Sequence, residues 1–335
     1  MVERMKITPL ILGRGRAGEA IAKSLLNLSV LYPEFEIQTP IGLERGADLA
    51  VEHKKYAHPL LCISNPHGLH ADSILAGAKA GFEAMICEKP ACVNLEQLQK
   101  LREVKSAVAV LHVYRAMWGL QHLKQMIDDG GFGQIITIEG RYWQPSTAER
   151  ALTESGISSS WKNDTRLGGE SDTFLDIATH WVDAVSFLYG SLPLSIEGWK
   201  TNLNSETAHR DSHVQLVLQF KDGGRGFGSI SKTVHGSSNH FEVNVLGTKK
   251  SATWEFLKPD QLAVGIGRDL HIITRKTSDL GSKQAPFHGL GWLEGYMEIG
   301  HQLMREVYQG KTAVYPRLKD NLDLLEVMLK TNWSA

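Results

Sequence analysis

The chain has 335 residues, 42% of them apolar, and its 36 lysines and arginines nearly balance 37 aspartates and glutamates, for a net charge of −1. That balance excludes nucleic acid or an acidic membrane as the main partner and leaves a small molecule as the expected one. The length exceeds one ordinary core, so two domains are expected. Cys62, Cys87 and Cys92 form no C-x-x-C pair, which speaks for a reduced compartment and against structural zinc.

No apolar signal segment follows the charged start, and no run approaches membrane-spanning length, so a cytoplasmic protein is expected. The first elements are an apolar strand, the turn Gly13-Arg14-Gly15-Arg16-Ala17-Gly18, and a helix with Ile21, Ser24, Leu25 and Leu28 at helical spacing. A dinucleotide site uses such glycines for a tight turn (Gly13), for backbone approach to pyrophosphate (Gly15) and for close helix–strand contact (Gly18). The helix start then faces the phosphates. By itself the pattern is also that of a plain turn.

The next strand, 36–43, ends in Glu44-Arg45. Glu44 suits the ribose hydroxyls of NAD, Arg45 the 2′-phosphate of NADP, and the cofactor stays NAD or NADP. The connection 46–58 is short for a crossover helix. Ser64-Asn65-Pro66-His67 follows the strand 59–64, at a strand end where open α/β sheets bind ligands, and a helix begins near His70. His67 and His70 lack a carboxylate or cysteine partner, so they read as loop and cap residues beside the cofactor, and no metal site is expected. The strand 83–87 leads into Glu88-Lys89-Pro90, where proline fixes the turn that holds the lysine ammonium. A strand-end salt bridge with a proline stop is the plainer alternative. Asn94 and Gln97 open a helix in capping-box fashion, and 108–113 is the last strand of a first domain, 1–113.

The second domain, 114–335, starts with a helix over 118–129 and an alternating strand over 134–143. A polar loop, 144–170, carries Trp161-Lys162 and serves as a lid or as an oligomer contact. The helix 173–189 sets Phe174, Ile177, Ala178, Trp181, Val185 and Leu188 on one stripe and Asp176, His180 and Asp183 on the other. Asp176 and His180, four apart, are either a solvated pair or a proton acceptor with its carboxylate neighbour. Alternating segments from 195 to 274 predict a mostly antiparallel sheet, open on one face and suited to a homodimer or homotetramer, and two helices close the chain.

In this order the glycine turn, Ser64-Asn65-Pro66, Cys87-Glu88-Lys89-Pro90, Arg115, Gly168-Gly169 and Asp176-x-x-x-His180 resemble the glucose-fructose oxidoreductase, inositol dehydrogenase and rhizopine-catabolism family of NAD(P)-dependent oxidoreductases. The resemblance covers almost the whole chain. It implies an N-terminal Rossmann domain followed by an α+β domain with a large open-faced sheet, and hydride transfer at a secondary alcohol carbon of a sugar or polyol. It also implies catalytic roles for Lys89, His180 and Asp176, with Arg115, Trp161 and Lys162 on the substrate. On the cofactor it places Gly13, Gly15, Arg16, Ala17, Gly18, Glu44, Arg45, Ser64, Asn65, His67, His70, Glu88 and Lys89. Glu44 stands where an aspartate is commoner and Lys162 where an arginine is frequent. Asp172 either adds polarity to the substrate side or caps the helix. Two other functions fit the same fold, a non-catalytic NAD(P)-binding regulator and a reductase of a non-sugar carbonyl or imine.

Overall fold

The computed structural model describes residues 4–152, 161–202, 210–276 and 291–334. The chain divides into two units, Met1–Ala116 with Leu280–Leu322 and Met117–Asp279 with Asp323–Ala335. In the first, β1 (Met5–Leu12) is buried continuously over 7–11, as a strand covered on both faces must be. Helix α1 (Arg16–Leu31) buries Ile21, Leu25 and Leu28. The strand expected over 36–43 is broken into β2 (Phe35–Ile37) and β3 (Ile41–Leu43), which pair in parallel with the two halves of β1. Pro40 lies in the gap and has no N–H for the ladder.

The short connection holds only α2 (Leu49–His53), whose first turn Asp48 caps at 2.9 Å. Strand β4 (Pro59–Ile63) is followed by α3 (His70–Ala80), β5 (Ala84–Cys87), α4 (Leu95–Leu101) and β6 (Ala107–Val110). Asn94 accepts from Gln97 N–H at 2.9 Å, while the Gln97 side chain accepts from Val93 N–H at 3.0 Å, one residue short of a reciprocal box. The six strands form one parallel sheet in which β1 lies between β2/β3 and β4. The chain reverses its winding between β1 and β4, so their carboxyl ends form the switch point at which such sheets bind ligands.

The second unit begins with α5 (Trp118–Asp128) and β7 (Ile135–Trp143). The stretch 144–170 contains two short helices, α6 (Ser146–Ala151) and α7 (Thr165–Gly168), and its residues 153–160 lie outside those described. A π-turn, Phe174–Ala178, runs into α8 (Thr179–Tyr189). Then come β8 (Ser195–Thr201), β9 (His213–Gln219), β10 (Arg225–Ser231), β11 (His240–Gly247), β12 (Ser251–Glu255), β13 (Gln261–Ile266) and β14 (Asp269–Thr274). The chain closes with α9 (Trp292–Gln309), α10 (Leu318–Leu329) and β15 (Asn332–Trp333). Nine strands make one sheet, in the order β14-β13-β12-β11-β7-β10-β9-β8-β15. Its neighbours are antiparallel except β7 with β10 and β8 with β15.

One face of this sheet carries the core. Gly140 of β7 and Gly228 of β10 are register partners, and a Cβ on either would stand 2.8 or 2.7 Å from the Trp181 ring system. The two missing side chains make a trough that seats Trp181 of α8, fully buried, and so fix the height of the helix over the sheet. The opposite face exposes Trp199 and Phe227, each 44% accessible, beside an Arg141–Glu242 pair at 3.3 Å. A cavity of about 470 Å³ opens there.

Helix α9 differs from the expected division, since it packs in the first unit rather than the second. Gly300 brings it against Leu25 and Ile86, Tyr32 donates to Glu298 at 2.8 Å, and His301 meets Glu34 at 3.0 Å. Among the described residues no helix is long and apolar enough to cross a membrane.

Candidate active site

At the switch point the three glycines have separate reasons to lack a side chain. Gly13 has φ 108°, and its Cβ would stand 2.6 Å from the Ser64 carbonyl group. A Cβ on Gly18 would lie 2.3 Å from Gly13 O, so α1 starts hard against the turn. Gly15 has no described atom within 4 Å of its Cβ position, and as N-cap of α1 it supplies no side-chain cap. Its surroundings are open, and the first N–H groups of the helix have no acceptor within the helix. Arg16 is exposed and Ala17 half-buried beside it.

The Ser64 hydroxyl donates to Leu12 O or Gly13 O, at 3.0 and 3.2 Å, and so ties the turn to β4. Asn65 donates to Ser73 Oγ at 2.9 Å, and its own Oδ1 is buried with no hydrogen-bond partner among the described residues. Glu44 and Arg45 are both exposed, and Glu44 is paired with Arg14 from the glycine turn, a contact the sequence reading did not include.

His70, expected on the cofactor, points its ring into the protein. It is fully buried, and its Nδ1 and Nε2 each lie 2.7 Å from a carbonyl oxygen, of Pro90 and Asn65 respectively. Burial drives its pKa down to about 4 against the upward pull of the two carbonyls, so the ring is neutral near pH 7 and donates to one of them. Its work is to link the Asn65 loop to the Lys89 turn. His67 stands half-buried one turn earlier, its ring 5.6 Å from that of His70.

Glu88 and Lys89 follow β5 and are both 8% exposed, and the Lys89–Pro90 peptide is cis. Tyr296 of α9 donates to Glu88 Oε1 at 2.7 Å, and Lys89 N–H to Glu88 Oε2 at 3.3 Å. Burial raises the Tyr296 pKa well above its usual value, and the Glu88 carboxylate adds to the effect. Glu88 therefore anchors the lysine turn to α9. No local signal could have paired residues 208 positions apart. Arg115 lies half-buried on the 3-10 turn Val113–Ala116 of the same unit.

In the second unit the polar stripe of the 173–189 helix is buried rather than solvated, with Asp176 and His180 7% exposed and Asp183 5%. Asp176 Oδ2 accepts from Lys162 Nζ at 2.5 Å and from Lys232 Nζ at 2.6 Å. Lys232 also donates to Asp172 Oδ1 at 2.7 Å, and Arg210 lies 3.8 Å from the same oxygen. The result is an alternating chain, Arg210, Asp172, Lys232, Asp176, Lys162, whose last member is the most exposed, at 27% of its side chain.

Burial raises the cost of each charge. At Asp172 burial is the largest influence, but the charge and hydrogen bond of Lys232 together with the Lys162 charge overcome it and hold the carboxyl below its usual value, and at Lys232 the two aspartates together outweigh burial and raise the pKa. At Lys162 burial prevails over Asp176, with help from Lys232, and the pKa is lowered. Trp161 lies alongside, its ring 5.7 Å from Lys162 Nζ, and the ring of Tyr142 is 6.1 Å from that of His180. The helix start is capped by Asp211, which accepts from Asp172 N–H at 2.8 Å and Phe174 N–H at 2.7 Å, so Asp172 is left for the ion chain. Lys232, Arg210 and Asp211 were not legible as site residues, because strand-end charges on β9 and β10 look like solvated ones.

One unit has a glycine turn at the switch point of a parallel sheet, and the other an open-faced sheet whose covering helix carries buried acids and an imidazole, which defines a mixed α/β protein with a Rossmann-like first unit. Residues 120–253 match the GFO/IDH/MocA C-terminal domain. The chain is also similar to several dehydrogenases. It is 25% identical over 232 residues to levoglucosan dehydrogenase of Pseudarthrobacter phenanthrenivorans, across 62% of this chain and 58% of that protein. It is 22% identical over 227 residues to D-xylose 1-dehydrogenase [NADP(+)] of Haloarcula marismortui, across 62% of this chain and 60% of that one. These matches span less than two thirds of the curated relatives. In fold the chain is similar to levoglucosan dehydrogenase in complex with NADH and levoglucosan, with TM-score 0.80 and 20% identity over 97% of this chain and 95% of that one. An inositol dehydrogenase homologue from Azotobacter vinelandii, in complex with NAD+, gives TM-score 0.82 at 18% identity over 97% and 93%.

Proposed function

We propose that the protein is an NAD(P)-dependent oxidoreductase that moves hydride between nicotinamide and a secondary alcohol or carbonyl carbon of a sugar, polyol or related small molecule. The observation that carries this is the open ground around Gly15 at the switch point, on the same sheet as the buried Lys89 turn. The residues present fit a dinucleotide. Gly15 and the start of α1 suit the pyrophosphate, Glu44 or Arg45 the ribose, and the orphan Asn65 Oδ1 is an acceptor for a ligand donor. The names of the similar proteins support the substrate class, since they are a levoglucosan dehydrogenase, a D-xylose 1-dehydrogenase and an inositol dehydrogenase homologue.

The cofactor, when bound, would accept or supply the hydride. The chain's own groups would manage the proton and the charge on oxygen. Lys89 is a cation that stabilises the oxygen as its carbon is oxidised, and His180 is the acceptor of the hydroxyl proton. Asp176, with its Oδ2 already taken by two ammoniums, is a fixed acceptor for substrate hydroxyls rather than a base. Lys162, Trp161 and Arg115 complete the substrate contacts.

Titration of the protein with NADH and NADPH, followed by nicotinamide fluorescence, tests the cofactor, and a panel of cyclitols, aldoses and anhydrosugars tests the substrate class. Binding of neither cofactor would sink the reading, and binding without turnover of any alcohol or ketone would favour a regulator. Glu44→Ala is expected to weaken NADH about tenfold and to spare or improve NADPH, because it removes an acceptor for the ribose hydroxyls and releases Arg14 for a 2′-phosphate. Equal effects on both cofactors would show that Glu44 does not meet the ribose.

The open sheet face is proposed as the contact with a second copy of the chain, since Trp199 and Phe227 stand exposed on it. Light scattering should give a dimer or tetramer for the wild type and a smaller species for Phe227→Lys. An unchanged mass for the variant would rule this face out.

A further inference from the structure

Lys232 occupies a place that sequence order gives no reason to notice. It follows the last residue of β10, its N–H donates to Ser212 O at 2.9 Å, and its carbonyl accepts from Thr147 N–H at 2.8 Å, so its backbone is clamped between β9 and α6. Its side chain is wholly buried. The ammonium donates to Asp172 Oδ1 at 2.7 Å and Asp176 Oδ2 at 2.6 Å, with Asp172 O at 3.5 Å.

Asp172 and Asp176 stand one helical turn apart, the amide of the second bonded to the carbonyl of the first at 2.9 Å. Two carboxylates so placed repel each other unless a cation lies between them. Lys232 is that cation, and the same Asp176 oxygen also holds Lys162. The position of the most exposed member of the ion chain therefore depends on the most buried one.

We infer that Lys232 is a positioning residue: by fixing Asp176 and dividing its Oδ2 between two ammoniums, it sets where Lys162 stands and how strongly Lys162 is held. This rests on the proposed reading of Asp176 and Lys162 as substrate contacts. Lys232 touches neither reacting atoms nor cofactor in this role. Among the described residues the charged and titratable groups around the pair include Asp172, Arg210, Asp176, Lys162 and His180, with Tyr142 next to His180.

The test uses Lys232→Met and, should a buried unmatched carboxylate prevent folding, Lys232→Met with Asp172→Asn, which removes one charge of each sign. Two quantities are read on the full chain. The first is the titration of the Lys162 ammonium by NMR on lysine-labelled protein, assigned through Lys162→Arg. Lys162 then no longer shares Asp176 Oδ2 with a second ammonium, and its titration is expected to rise by about one pH unit, less in the double variant. The second is the split of kinetic constants, in which the KM for the alcohol is expected to rise about tenfold while the KM for the nicotinamide cofactor stays unchanged. A Lys162 titration that does not move overturns the inference, as does a parallel rise in both KM values, which marks a merely structural lysine. If no alcohol is turned over by the wild type, the functional reading fails and the Lys162 titration still decides the role of Lys232.

Discussion

Lys89→Met is expected to lower kcat by roughly 10³-fold while leaving the affinity for the nicotinamide cofactor within a factor of about three. Methionine keeps most of the length and apolar stem of lysine but carries no charge, so the variant removes the ammonium and little else. The size of the effect follows from the site. Lys89 is 8% exposed, on a turn fixed by Glu88, Tyr296 and His70. A charge held in so dry a place acts on a developing alkoxide with little screening and needs no reorganisation. Stopped-flow measurement of nicotinamide absorbance with the best substrate of the panel would check it. A kcat within tenfold of the wild type would remove Lys89 from the chemistry and return the turn to a structural role.

The second large effect is expected at His180. His180→Gln, close in shape and unable to take up a proton, should lower kcat by roughly 10²- to 10⁴-fold in the direction of alcohol oxidation. It should also flatten the acid side of the pH profile of kcat/KM. A histidine base must be neutral to work, so activity falls as the pH drops through its pKa, and a variant without the imidazole has no such limb. A flat loss with the acid limb intact would assign the proton to another group. Asp176 is the natural alternative, and its engagement with Lys162 and Lys232 argues against it.

The parts of this chain that local chemistry governs were legible from the residues. The Gly13, Gly15 and Gly18 turn, the capped start at Asn94 and the alternation from β9 to β13 each follow from one residue and its near neighbours, because backbone torsion, capping and pleat act over a few positions. The break between β2 and β3 could have been read from Pro40. The candidates Lys89, Asp176 and His180 also came from short motifs, and the family resemblance gave them their order.

What surrounds those candidates came from elsewhere in the chain. Tyr296 reaches Glu88 from 208 residues away, and Lys232 reaches Asp176 from 56. Helix α9 joined the first unit because Gly300 lets it lie against α1, a contact that neither helix announces. His70, expected at the cofactor, is fully buried, with one ring nitrogen against the Pro90 carbonyl and the other against that of Asn65. The amino-acid sequence determined by itself which residues carry charge, imidazole and conformational freedom, and where strands and helices begin. Only the tertiary structure decided which of those charges are buried together. The pairing of buried ions is set by desolvation, which depends on what packs around a group and not on what stands beside it in the chain.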